Sequence, residues 1–304
     1  MYDQSDPRSS LAKPSAGAPA DRATADAEYG LFYEDPPIDD DANGKSWFCR
    51  GQNFVVAYTE ANAGAILARD DQVDEYIVLA PDRDTPLRAE AGTQRVEAEG
   101  YALLIVPPGA SRVTLPKGGR VIRLYTTRSR DLAAKCANAG SYARPHPNIP
   151  PLENWPAPPD GFRLRLYSLD VPKAAGRFGR IWRCTTLMVN VPDVNIGPRD
   201  LKKVSPHHHD DFEQGSLVLS GEWQHHVRWP WTVNMHQWRD DVHVAVSAPS
   251  LTVIPPPAIH TSTWSSPGEN HLIDIFSPPR LDFSKSPGWV LNEAEYPLPQ
   301  GAAT

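Results

Sequence analysis

From Trp47 onward the chain is written in short apolar runs broken by turn-forming residues. Residues 54–58, 76–79, 102–106 and 121–125 are runs of β-branched and aromatic side chains. Pro81-Asp82, Pro107-Pro108-Gly109 and Lys117-Gly118-Gly119 punctuate them. Runs of this length and composition between such turns predict strands. The same texture returns at 162–167, 181–186, 216–219, 242–246, 251–254 and 272–276. A single helix is expected, over residues 129–138.

The two stretches read as copies of one unit. The turn 106–112 aligns with 254–260, and a strand run follows each, at 121–125 and 272–276. Strand 77–79 matches 217–219 ahead of them. This alignment sets Leu67 and Arg69 against His207 and His209, Asp74 against Gln214, and Arg112 against His260. It divides the chain into a disordered tail over 1–28, an N-terminal unit over 29–145 without metal ligands, a proline-rich linker over 146–161, a C-terminal metal-binding unit over 162–283 and a tail over 284–304. The first tail is rich in Ala, Asp, Ser and Pro and has too little apolar surface to offset ordering entropy.

Composition changes this picture little. The 32 prolines disfavour long helices. A net charge of −7 offers no basic stripe for nucleic acid, so no nucleic-acid partner is expected. Cys49, Cys136 and Cys184 form no CxxC pair and are read as small buried hydrophobes. With no apolar run of spanning length and no signal-like start, the expected setting is cytoplasmic and away from membranes.

The histidines carry the chemistry. Nine of the 10 lie between residues 207 and 271. If 207–209 is extended, His207 and His209 share a face and His208 opposes them. Two imidazoles, a nearby carboxylate or amide and the distant His260 make a mixed N/O donor set. Such a set suits Fe, Zn, Mn or Ni, and open positions beside it suit catalysis better than a closed structural site.

These residues resemble the cupin superfamily, whose motifs are G(x)5HxH(x)3–4E(x)6G and G(x)5PxG(x)2H. The first is matched by His207, His209, the pair Glu213-Gln214 and Gly221, and the second by Pro255, Pro257 and His260. The resemblance implies an all-β protein of two double-stranded β-helix barrels, a bicupin, with the metal in the C-terminal barrel. It implies a site of His207, His209, His260 and a fourth donor. Counting from His209 selects Glu213 and counting back from Gly221 selects Gln214, which we favour with Glu213 as the alternative. A homodimer is the usual cupin assembly.

Around this set, His226 and Arg228 are candidates for acid–base or orienting work, although strand alternation admits only one of His225 and His226 to the interior. Trp223, Trp264 and Arg183 are candidate walls of a substrate pocket. Asp210 and Asp211 are read as imidazole partners or a solvated turn, and His236, His243 and His271 as peripheral. The leading expectation is a non-haem Fe(II) dioxygenase that takes O2 and a small, aromatic or flat, substrate. Alternatives are a metal-dependent isomerase, lyase or decarboxylase of a polyhydroxy acid, or a non-catalytic ligand-binding barrel.

Overall fold

A computed structural model describes residues 23–301. The expected disorder of residues 1–22 lies outside the described residues. Two seven-stranded sheets stack on one another, and a smaller sheet covers the far face of each. All named strands pair antiparallel; the expected two-barrel, all-β architecture is what the chain adopts. The N-terminal barrel closes its large sheet with the four strands Ala65–Gln72, Gly109–Leu115, Leu87–Ala91 and Gln94–Ala98. The C-terminal barrel closes with only three, Val242–Ser247, Glu222–Arg228 and Ile259–Trp264. The expected helix is present but shorter, at Arg130–Lys135. Cys49, Cys136 and Cys184 are buried free thiols, as their sequence context suggested.

The largest core lies between the barrels. Val56, Ile77, Leu79 and Ile122 of one sheet meet Leu217, Leu251, Ile273 and Ile275 of the other, all buried. Burying both sheet faces in this way is the main apolar gain of the fold.

Strand pairing crosses the boundaries expected from the sequence. Glu28–Gly30, at the start of the N-terminal half, adds to the C-terminal barrel beside Ser250–Ile254. Arg165–Ser168, past the linker, adds to the N-terminal barrel beside Ala102–Val106. One edge of each large sheet is thereby covered by a strand from the other half, which blunts it against unwanted pairing. Residues 24–26 are also held: Trp229 Nε1 donates to the Ala25 carbonyl at 3.0 Å, and Arg239 pairs with Asp26. The C-terminal segment returns to its own chain, burying Trp289, Val290 and Tyr296.

Two buried carboxylates cross between the barrels. Glu213 accepts the backbone N–H groups of Gln52 and Asn53 at 2.8 and 2.9 Å. Glu75 accepts from the Thr185 backbone and hydroxyl at 3.2 and 3.0 Å, and from the Tyr296 hydroxyl at 2.7 Å. The strand registers make the two glutamates equivalent, since Leu79 faces Leu103 as Leu217 faces Leu251. Gly51 leaves room for the Glu213 crossing: a Cβ there would lie 2.9 Å from the carboxylate.

Burial raises the Glu75 carboxyl above its ordinary 4.5, against the opposing effect of its Tyr296 and Thr185 donors. A raised folded value means that its contribution to stability is present below about pH 4.5 and is lost as pH rises through the folded value. The melting temperature of Glu75→Gln should therefore gain on the wild type as pH is taken upward from 4.5. A constant difference between the two across pH 4.5–8 in a thermal melt would contradict this.

Candidate functional site

The residues before the strand Glu213–Ser220 form an extended loop where the N-terminal barrel has the strand Ala65–Gln72. The loop is tied to the barrel by an antiparallel bridge between His207 and His260, whose backbones exchange hydrogen bonds of 3.1 and 2.8 Å. His208 stands apart, near Asp210. The His260 ring lies 4.4 Å from that of His207 and 5.0 Å from that of His209, while the latter two are 6.5 Å apart. The rings are neighbours rather than a closed ligand set. Among the described residues no three His, Cys, Asp or Glu side chains stand ready to hold one ion.

Their donor chemistry nevertheless fits a metal. His207 Nδ1 is 2.8 Å from the Ser205 carbonyl, and His260 Nδ1 is 3.0 Å from the Ala258 carbonyl. A carbonyl only accepts, so each Nδ1 carries hydrogen, and in the neutral form of either ring Nε2 is the nitrogen with a lone pair for a metal. His209 is buried, with its ring stacked 4.1 Å from that of Phe212 and neither nitrogen in a well-formed hydrogen bond. Burial, then the nearby His260 and Arg280, hold it well below the usual imidazole range. The neutral form is the one that binds metal.

Gln214 and Glu213 are adjacent on a strand and point to opposite faces. Glu213 reaches out to the other barrel, so the alternative fourth donor is turned away from the histidines. Gln214 points inward. Its Nε2 donates to Ser216 Oγ at 3.1 Å and to Asp274 Oδ1 at 3.3 Å, which leaves the amide oxygen for His209 or an ion. Asp274 is itself steadied by Asn190 Nδ2 at 3.0 Å.

Several expected pocket residues lie elsewhere. Arg228 is on the surface in an ion pair with Asp241. His226 is on the outer face, its Nδ1 2.7 Å from that of His243. Arg183 is buried, but its guanidinium serves the C-terminal segment, bonding the Tyr296 and Pro297 carbonyls and lying over Trp155. Burial lowers it to about 10. Trp223 and Trp264 do face inward, yet they pack on each other with centroids 5.0 Å apart. They sit four register positions from the Val227–His260 pair, about 13 Å along the strands, and wall the opposite end. Among the peripheral residues, His271 Nε2 contacts the Pro192 carbonyl at 3.2 Å.

His225 is the interior imidazole of that strand. Trp223, His225 and Val227 are buried while their neighbours are not, so the parity that takes Trp223 inside also takes His225. The signal was in the sequence: placing both Trp223 and His226 in one pocket breaks strand alternation.

No family model and no curated protein matches the sequence. Solved structures do match in fold. AerE from Microcystis aeruginosa is 10% identical, with 79% of this chain and 95% of that chain covered and a TM-score of 0.54. Oxalate decarboxylase from Lactobacillus farciminis in a formate complex is 13% identical, covering 86% and 89%, with a TM-score of 0.55. A variant of oxalate decarboxylase from Bacillus subtilis is 13% identical, covering 90% and 82%, also with a TM-score of 0.55. These likenesses establish a two-barrel fold similar to that of oxalate decarboxylase. Among the described residues no helix is long and apolar enough to cross a membrane.

If the inward donors hold an ion, His209→Ala and His260→Ala should each weaken metal uptake by roughly a hundredfold or more, and Gln214→Ala by at least roughly tenfold. His226→Ala and Arg228→Ala, both on the outer face, should retain wild-type uptake. Competition with a chromophoric chelator reads all five, and uptake undisturbed by His209→Ala would remove this assignment.

Proposed function

We propose that this chain is a metal-dependent enzyme whose ion is held by His207, His209, His260 and Gln214, and whose substrate is a small, oxygen-rich molecule. One observation carries the reading: two imidazoles with fixed tautomers and a third held neutral by burial gather beside an amide in one barrel only. A divalent ion in this setting would polarise a substrate oxygen as a Lewis acid. The amide oxygen, unlike a carboxylate, brings no negative charge to temper it.

The interior around these donors favours a polar substrate. Ser216, Asn190 and Asp274 line the barrel wall next to Gln214. The tryptophans that suggested an aromatic substrate are occupied with each other. The reading is therefore isomerase, lyase or decarboxylase chemistry on a hydroxy or keto acid. Dioxygenase chemistry with Fe(II) is the second reading, favoured by the neutral nitrogen-rich donor set, which suits that ion and leaves positions open.

Protein stripped with a chelator and reloaded separately with Mn(II), Zn(II), Ni(II) and Fe(II) should turn over small hydroxy and keto acids in anaerobic buffer. Consumption of O2 with turnover confined to the Fe(II) form would instead select the second reading. Turnover that survives complete stripping of the metal would end both.

A further inference from the structure

We infer that His225 is a functional residue of the C-terminal barrel, placed to hydrogen-bond a ligand seated beside His207, His209 and His260. The inference rests on the proposed metal reading and deepens it. The two barrels provide the argument, because their strand registers can be compared position by position.

In the N-terminal barrel Val113 faces Leu67 on one side and Ala89 on the other. In the C-terminal barrel His260 faces His207 on one side and Val227 on the other. Extending the Leu79–Leu217 match without a gap sets Ala89 against Val227 and Leu87 against His225, so Val113 corresponds to His260 and, across the next strand, Leu67 to His207. The first barrel's ladder ends at Thr114 and Arg88, and the next position along each strand is Leu115 and Leu87, whereas in the second barrel Ser262 faces His225. Leu67, Leu87, Val113 and Leu115 all belong to the apolar filling of the N-terminal barrel. Their counterparts are His207, His225, His260 and Ser262. The His225–Ser262 pair therefore differs from an apolar packing pair at the same places where the candidate ligands do.

The geometry of the side chain agrees. His225 Nδ1 lies 2.8 Å from Ser262 Oγ, which fixes the ring. Its Nε2 is buried without a hydrogen-bond partner among the described residues. An imidazole nitrogen held this way disfavours the fold, and leucine, present at the equivalent position, would not carry that penalty. Burial, with His260 and His226 nearby, lowers the ring to about 3, so it stays neutral and has one nitrogen to offer. Residues that weaken the fold in this manner are characteristic of sites kept for function.

The test uses full-length protein loaded with Co(II), with oxalate and azide as probes that fill open metal positions and shift the visible spectrum. Compared with wild type, His225→Leu should keep its cobalt content by elemental analysis and melt at the same or a higher temperature. It should bind the probe about tenfold more weakly, the loss expected for one hydrogen bond. His225→Gln, which retains a hydrogen-bonding group, should recover most of that loss, and Ser262→Ala should fall between. Unchanged probe affinity in His225→Leu overturns the inference, as does a lowered melting temperature or lost cobalt, which would make His225 structural or a ligand. Wild-type cobalt protein that takes neither probe overturns it too, with the metal reading intact. Wild-type protein that takes up no cobalt overturns the metal reading itself, and this inference with it.

Discussion

The crossing of Glu213 into the neighbouring barrel sets the geometry of everything beside it. A carboxylate that accepts two backbone N–H groups from Gln52 and Asn53 cannot also face the histidines. Because strand side chains alternate, anchoring residue 213 outward forces residue 214 inward. Gln214 then meets Ser216 and Asp274, and the strand Glu213–Ser220 is locked in register on both sides. Glu75 does the same for its barrel, and there the inward neighbour is Tyr76, packed on Tyr125 at 4.8 Å. One inter-barrel device thus orients a polar group in one half and an aromatic one in the other.

That contrast divides the labour between the barrels. The N-terminal interior is filled by Val78, Leu104, Val113 and Leu115, all with no exposure. At the equivalent places the C-terminal barrel carries Ser216, Thr252, His260 and Ser262. A close-packed interior contributes stability and excludes ligands, whereas a polar one gives up apolar burial and needs partners for its groups. The shared core between the sheets lets one barrel be optimised for packing while the other departs from it.

Much of this was legible in the chain. Short β-branched runs and proline turns sufficed for an all-β, two-unit fold, and the spacing of His207, His209 and His260 sufficed to bring them together. Register was not legible. The turn-based alignment paired Arg112 with His260 and Asp74 with Gln214, whereas the ladders pair Val113 and Tyr76 with them. A bulge between Gly109 and Ser111 inserts the first of these offsets, and no local pattern announces it. Exchange of the strands Glu28–Gly30 and Arg165–Ser168 was likewise invisible, because pairing partners 60 or more residues apart leave no local signature. The placing of Arg228 and Arg183 failed for a different reason: a long cationic side chain follows its counter-charges or carbonyls, here Asp241 and the Tyr296–Pro297 backbone, wherever the fold brings them.

The histidine segment itself explains why its rings are gathered but not closed. In the N-terminal barrel the strand Ala65–Gln72 is held by a ladder running from Ala65 to Gln72 against Gly109–Leu115. The corresponding C-terminal segment keeps the backbone bridge at His207 and His260, and past it the chain turns without a ladder to Phe212. A side chain on a continuous ladder moves only with its sheet. One beside an isolated bridge can rotate while the bridge holds its Cα in place. His260 and Gln214 sit on regular strands and supply the rigid half of the set, and His209, on the ladder-free stretch, supplies the adjustable half. On the proposed metal reading, a donor set built this way would close on an ion at the cost of a local rotation, which would separate the stability of the barrel from the occupancy of its site.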